Sequence, residues 1–180
     1  MIKIGIYLIT IILAIFNVGE LLMAEEKQSK SNEVQIILYQ KDKQKVVDHQ
    51  EPFFQELLQE CEELFLNADS GYRLVLQKDL ISQIKKKPAI EVIYSTVHRT
   101  DIHKPLYYTR LLIPLREKFA NGTVFFAGIH EYELKRDKPD LMPEQNYSYV
   151  DVYRAFNYVL NTKGLSRLKE TLKKISIELD

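Results

Sequence analysis

The hydrophobic pattern of this chain is most pronounced at its amino terminus. Residues 4–16 are almost all apolar, Lys3 precedes them, and polar residues return at Asn17. Export signals combine a positive charge with about 7 to 15 apolar residues, whereas a membrane-spanning helix needs about 20. We therefore expect residues 1–24 to be a signal peptide cleaved after Ala24. The alternative is an uncleaved membrane anchor with its amino terminus inside the cell.

A polar segment separates this leader from the rest of the chain. Residues 25–33 consist of Glu, Lys, Gln, Ser and Asn, with no apolar side chain to bury. Such a composition is typical of a solvated linker. Residues 34–180 have the length of one domain with a sizeable core, so the sequence predicts a single folded domain after the linker.

The first helical pattern lies between residues 52 and 67. Pro52 suits the first turn of this helix, and Gly71 lies just beyond its end. Cys61 is the only cysteine of the chain and falls within the apolar stripe, so we expect it to be buried and inert. The stripe consists of Phe53, Phe54, Leu57, Leu58, Cys61, Leu64 and Phe65.

Shorter patterns predict further elements on either side of this helix. The apolar, β-branched run 34–39 predicts a strand that ends at a charged turn, residues 41–45. Residues 72–76 predict a short strand. Residues 80–84 predict one or two helical turns that Pro88 terminates.

Three later runs have the pattern of strands and predict a β-meander. These runs are residues 90–95, 107–115 and 124–134. Between the last two lies Asn121-Gly122, a dipeptide that favours the positive φ angles of a tight hairpin turn. Because proline has no N–H to donate, we expect the strand that contains Pro114 to lie at an edge or to lose its pairing near that point.

The carboxy-terminal patterns predict two more helices. Apolar and aromatic residues recur at helical steps in 149–160, although the alternation of Val and Tyr there favours a strand as the alternative. Residues 165–179 have a narrow apolar stripe and a basic outer face. Because helix 52–67 has an acidic outer face, we expect it to lie beside helix 165–179.

The order of these elements predicts the fold class. We expect an α+β domain with a small mixed sheet of four or five strands, including a central three-stranded meander, and helices packed on one face.

Composition narrows the function. The chain has 25 basic and 25 acidic residues, a formal net charge of zero, so no overall field attracts nucleic acid. Among its six glycines there is no phosphate-binding loop, and no serine sits in a nucleophile elbow. The sequence therefore predicts no nucleic-acid partner and no cofactor.

Histidine and aspartate residues provide the candidate chemistry. His98, Asp101 and His103 could hold a metal ion, although a solvated loop is the simpler interpretation. His130-Glu131 begins like a zinc-protease motif, but Leu134 stands where the second histidine would be. In the predicted strand, His130 shares a face with Phe126 and Tyr132, which makes it a candidate pocket residue, with a packed core histidine as the alternative.

Tyrosine provides the candidate binding surface. Tyr147 and Tyr158 fall off the helical stripe of the carboxy-terminal region, so we expect them to be exposed and to contact a partner. Tyr149 lies on that stripe and is expected in the core. Asn121 and Asn146 match the glycosylation acceptor pattern, which only a eukaryotic secretory route would use.

Taken together, these patterns predict an exported or membrane-tethered domain that binds a protein or small ligand outside the cytoplasm. We expect membrane contact only through residues 4–24. The alternative is an extracytoplasmic hydrolase or other enzyme that uses the His98, Asp101 and His103 region or His130.

Overall fold

A computed structural model describes residues 34–68, 70–73, 79–101, 105–116, 122–137, 147, 149, 156–159 and 162–174. The predicted leader and linker, His103 and the two glycosylation sites lie outside these residues, and their assignments stay predictions. Within the described ranges, no helix has the length and apolar character needed to cross a membrane.

The described strands form one antiparallel sheet. Five of them lie in the order β2-β1-β4-β5-β6, and two strands of four residues, β7 and β3, extend the sheet beyond β6. The strands are β1 (Val34–Gln40), β2 (Lys43–Val47), β3 (Ser70–Arg73), β4 (Ala89–Thr100), β5 (Leu106–Pro114), β6 (Thr123–His130) and β7 (Phe156–Val159). The expected α+β class is confirmed. The expectation that the sheet is mixed is wrong, because every described pair of neighbouring strands is antiparallel.

Four helices accompany the sheet in the described ranges. They are α1 (Phe54–Leu66), α2 (Leu80–Lys85), α3 (Glu131–Asp137) and α4 (Thr162–Lys174). The predicted helices at 52–67, 80–84 and 165–179 correspond to α1, α2 and α4.

The predicted charged turn at residues 41–45 is partly wrong. Only Lys41 and Asp42 form the turn, with φ angles of 48° and 62°, and β2 begins at Lys43. Positive φ at both central positions is the geometry that joins two antiparallel strands in a tight hairpin. The lysines of β2 therefore lie on an edge strand, where charge discourages pairing with other chains.

The predicted meander is confirmed as β4, β5 and β6. Pro114 does not place β5 at an edge, but the β5–β6 register ends two residues earlier, at the pair Leu112 and Phe125. Because the pairing ends there, the connection between β5 and β6 is longer than the tight turn predicted at Asn121-Gly122. Gly122 ends the connection with a φ of 88°.

Two elements differ from the sequence prediction near the carboxy terminus. The strand expected over 124–134 ends at His130, and α3 begins at Glu131, where two acidic residues of the first turn favour the helix start. The helix expected over 149–160 is replaced at Phe156–Val159 by β7, the strand alternative. Pairing with both β6 and β3 outweighs the helical spacing there.

The two faces of the sheet bury different clusters. Alternate residues of β4 divide between them: Ile90 and Val92 face the first core, which includes α1 and α4, whereas Ala89 faces the second core beside α2. On the first face α1 and α4 pack against each other. The expectation that the helices pack on one face is wrong, because α2 packs on the second. The expected pairing of their acidic and basic faces is confirmed, since Arg167 Nη2 lies 3.0 Å from a carboxylate oxygen of Glu63.

Candidate functional site

The two predicted histidines that the structure describes belong to one chain of ring contacts on the first face. His98 lies 4.0 Å from Tyr94 between ring centroids and 5.7 Å from Tyr108. His130 is 3% exposed and lies 6.3 Å from Phe126. The chain continues between them through Phe65, which contacts both Tyr108 and Phe126. This is the packed environment that the alternative interpretation of His130 predicted.

The predicted metal site is only partly described. Asp101 forms an ion pair with Arg99 at 3.0 Å, and Arg99 also contacts Glu131 at 3.2 Å. His103 lies outside the described residues. Among those that are described, no three His, Cys, Asp or Glu side chains group together as metal ligands. The metal assignment of His98, Asp101 and His103 therefore stays a prediction.

The aromatic binding surface is corrected in part. Tyr147 is 7% exposed and packs in the second core, and its backbone N–H donates to Thr109 Oγ1 at 3.0 Å. The expectation that Tyr147 is exposed is wrong, because its side chain packs among the residues of the second core. Tyr149 is buried, as expected. The backbone of Tyr158 pairs with Gly71 and Val124, while its side chain lies outside what the structure describes.

The second face contains a polar arrangement that the sequence analysis did not predict. Glu91 is 1% exposed, although it is charged. Lys85 Nζ lies 2.8 Å from its Oε1 and 2.7 Å from its Oε2, and the Tyr39 hydroxyl donates to Oε2 at 2.6 Å. Arg110 Nη1 lies 4.0 Å from Oε1. A buried carboxylate thus has two cations and a phenol around it.

Aromatic rings complete this arrangement. Lys85 Nζ lies 5.3 Å from the ring centroid of Tyr39 and 5.5 Å from that of Tyr149, within the range of cation–π attraction. Five side chains from β1, α2, β4, β5 and the segment before β7 therefore meet at one point. We call Tyr39, Lys85, Glu91, Arg110 and Tyr149 the Glu91 cluster.

In the Glu91 cluster, burial and the interaction with Glu91 raise the pKa values of the Tyr39 and Tyr149 hydroxyls. Burial raises the pKa of Tyr39, and the hydrogen bond to Glu91 raises it further. Burial and then the charge of Glu91 raise the pKa of Tyr149 well above its ordinary value. Both tyrosines therefore keep their phenolic protons well into the alkaline range, and the Tyr39 hydroxyl donates its proton to Glu91.

The Glu91 cluster lies where the second face changes from covered to open. One row of paired residues crosses the sheet from β2 to β6: Val46, Ile37, Glu91, Leu112 and Phe125. Phe125, Leu112 and Glu91 are buried, whereas Ile37 is half-buried and Val46 is 51% exposed. Lys85 and Arg110 keep side-chain exposures of 26% and 27%. Both cations are thus reachable from solvent beside an apolar edge.

A half-buried carboxyl, that of Glu62, lies between α1 and β4. The Tyr94 hydroxyl donates to Glu62 Oε1 at 3.0 Å. Burial raises the pKa of Glu62, while burial and the charge of Glu62 raise that of Tyr94. Burial also raises the pKa of the Cys61 thiol, which is fully buried next to Glu62. Cys61 is therefore the inert core residue that its position in the stripe predicted.

Comparison with known proteins gives no assignment. No family model, curated protein or solved structure matches the chain. Function is therefore argued from the geometry alone.

The sequence carried one signal for the Glu91 cluster, but it was ambiguous. Glu91 alternates with apolar residues in β4, a pattern that usually marks the solvated face of a strand. Ala89 and Ile93, its neighbours on that face, are apolar, and Lys85 precedes it on a helical turn. A single carboxylate on an otherwise apolar strand face can be identified as part of a buried ion pair only when the side chains that surround it in the fold are known.

Proposed function

We propose that the chain is an exported or membrane-tethered binding domain, and that the open edge of the second face is its recognition surface. The observation that carries the proposal is the Glu91 cluster: a buried carboxylate holds two partly exposed cations in place beside apolar and aromatic side chains. Protein binding interfaces are enriched in Tyr and Arg, which lie beside apolar side chains. The leader pattern of residues 1–24 supports export.

The energetics favour a binding role over a purely structural one. Removing a carboxylate and an ammonium from water costs several kcal/mol, and well-packed apolar residues often stabilise such a position equally well. A fold that needed only a core would be at least as stable with apolar residues there. A fixed Lys85 and Arg110, in contrast, give a preorganised positive site at a small cost in side-chain entropy on binding.

The ligand chemistry follows from the charges. One carboxylate lies between two cations, so the Glu91 cluster has a net positive charge, and Val46 and Ile37 lie next to it on the same face. An anionic group attached to an apolar portion matches both features. We infer a carboxylate-bearing small molecule or peptide as the ligand class.

Benzoate and benzylamine provide a charge-matched test. Amide NMR of the full chain should show saturable shifts at Tyr39, Lys85 and Arg110 with benzoate, and none there with benzylamine, which has the same ring and the opposite charge. Arg110→Gln should weaken the benzoate response, whereas Arg167→Gln on α4, which packs with α1 on the first face, should leave it unchanged. Equal responses to both probes, or shifts only at α1 and α4, would contradict the proposal.

Export has its own test. Mass spectrometry of the protein from its host cell should find a mature amino terminus at Glu25, or the intact leader in the membrane fraction. Recovery of the intact chain from the cytosol would refute export and leave the binding surface to be judged by the benzoate experiment.

A further inference from the structure

Three segments meet at one end of the sheet and are linked by backbone hydrogen bonds. The β1–β2 turn contacts the residues after α2, because Asp42 N donates to Lys86 O at 3.3 Å. The end of β5 contacts the same connection, because Leu115 N donates to Pro88 O at 2.9 Å. Residues 41–43, 86–88 and 115–116 are therefore neighbours in space.

These neighbouring segments concentrate positive charge. Five of their side chains are cationic and exposed, and Asp42 is the one carboxylate in these three described segments. We call this surface the basic end, and it consists of Lys41, Lys43, Lys86, Lys87 and Arg116. Its charge comes from residues far apart in the sequence, so it is not visible in the zero net charge of the chain.

Two cations of α4, in contrast, lie beside carboxylates of α1. Arg167 lies beside Glu60 and Glu63, and Lys174 lies 3.7 Å from Glu56. On α1 and α4 the positive and negative side chains therefore alternate across the helix pair. In the described segments of the basic end, five cations lie together with one carboxylate, and such a field attracts a densely anionic partner.

We propose that the basic end docks on anionic phospholipid headgroups. This inference rests on the proposed export or tethering, which keeps the domain next to a membrane. A surface of many headgroup charges matches five exposed cations better than a single small anion does, because each lysine or arginine near such a surface adds to the attraction. Residues of the basic end supply no apolar pocket, so the contact is electrostatic and sensitive to salt.

Lysine footprinting of the full chain tests this docking. The chain is mixed with vesicles of phosphatidylcholine, alone or with phosphatidylglycerol, and an amine-reactive reagent reports the reaction rate of each lysine by mass spectrometry. At low salt, Lys41, Lys86 and Lys87 should react severalfold more slowly with the anionic vesicles than with the neutral ones. Lys169 and Lys173 on α4 should react equally with both. High salt should abolish the difference because it shortens the range of the attraction.

Matched variants separate docking from general attraction. Lys41→Gln/Lys43→Gln/Lys86→Gln should remove the protection of Lys87 by anionic lipid. A control with the same change in charge, Lys169→Gln/Lys173→Gln/Lys174→Gln on α4, should retain it.

The two proposals fail in different ways. Equal lysine reaction rates with anionic and neutral vesicles would overturn the docking inference. Equal loss of Lys87 protection in the two triple variants would overturn it as well. A chain that binds anionic but not neutral vesicles would contradict anchoring by the leader and still support the basic end. A chain that anchors in neutral vesicles, but shows no lipid-dependent protection, would support the anchor and refute the docking.

Discussion

Lys85 Nζ contacts both carboxylate oxygens of Glu91, at 2.8 and 2.7 Å, although Glu91 is 1% exposed. The contact joins the last turn of α2 to β4, six residues later in the chain. It thereby fixes the short helix on the second face of the sheet, where the partly exposed Arg110 also lies.

Removing Lys85 should destabilise the domain. Lys85→Met removes the cation nearest to a buried carboxylate, and we expect a loss of roughly 2 to 4 kcal/mol in the free energy of unfolding. Lys86→Met, one residue away and exposed, should change it by less than about 0.5 kcal/mol. Urea unfolding measures both, and equal effects would show that the Lys85–Glu91 contact contributes nothing special.

The stability of the domain should fall in alkaline solution. Tyr94 has a raised pKa in the folded state, so the native protein holds its phenolic proton where the unfolded chain releases it. Its contribution is complete below the unfolded pKa of about 10 and decreases as the pH rises beyond it, by up to about 1.4 kcal/mol per pH unit.

A pair of Tyr→Phe variants isolates this effect. Tyr94→Phe should flatten the decline in unfolding free energy above pH ~10. Tyr132→Phe should not, because Tyr132 is among the exposed large side chains. Unfolding curves measured between neutral and strongly alkaline pH distinguish the two variants, and identical slopes would contradict the assignment to Tyr94.

Gly128 should tolerate no side chain. A Cβ at this position would lie 2.1 Å from Tyr107 O and 2.8 Å from Tyr108 Cα, both backbone atoms of the paired strand β5. Gly128→Ala should therefore cost about 3 kcal/mol or more, the upper end of overpacking.

Gly164 in α4 is the matched control. Its Cβ would meet only the end of the Leu64 side chain, at 2.7 Å, and that side chain can move. Alanine is also preferred over glycine in a helix by about 1 kcal/mol, so Gly164→Ala should be nearly neutral. Thermal unfolding of the two variants measures the difference, and similar melting temperatures would contradict the close approach at Gly128.

Cys61 should react with thiol reagents only through unfolding. Its side chain is fully buried and burial raises its pKa, so little thiolate forms in the folded protein. In a Cys61→Ala background, Val46→Cys supplies an exposed thiol as the control and should react far faster. Rapid labelling of native Cys61, without denaturant, would refute its burial.

Packing rather than charge should hold α4 to α1. Leu168→Ala removes a fully buried side chain and should cost about 2 to 5 kcal/mol. Arg167→Ala removes exposed ion pairs with Glu60 and Glu63 and should cost about 1 kcal/mol or less. Chemical denaturation of both variants ranks the two contributions, and a larger loss for Arg167→Ala would reverse the conclusion.

The local sequence pattern predicted those helices and strands for which only one type of secondary structure fits the pattern. The apolar stripe of α1 and that of α4 have no competing interpretation, because a helix with one apolar face is stable only when that face is buried. The meander strands were equally well marked. Residues 156–159 were assigned to a helix because helical and alternating patterns overlap there, and only the neighbouring strands resolve that ambiguity.

The candidate site was much less predictable. Their positions in the local pattern make His130 a candidate for a pocket and Tyr147 a candidate for an exposed surface, yet both are buried. Glu91 received no role, because its importance depends on Lys85 and Arg110, which lie on two other elements. A side chain's chemistry depends on what surrounds it, and the surroundings come from segments distant in sequence.

By itself, the sequence determined α1, α4 and the meander strands and that the domain is α+β, since periodicity sets which face of each element must leave water. Tertiary structure alone decided that the sheet is antiparallel, that Glu91 is buried among cations, and that dispersed lysines meet at the basic end. These features arise from pairings between segments far apart in the chain, and each such pairing is selected by the packing of the whole domain rather than by the residues of either segment.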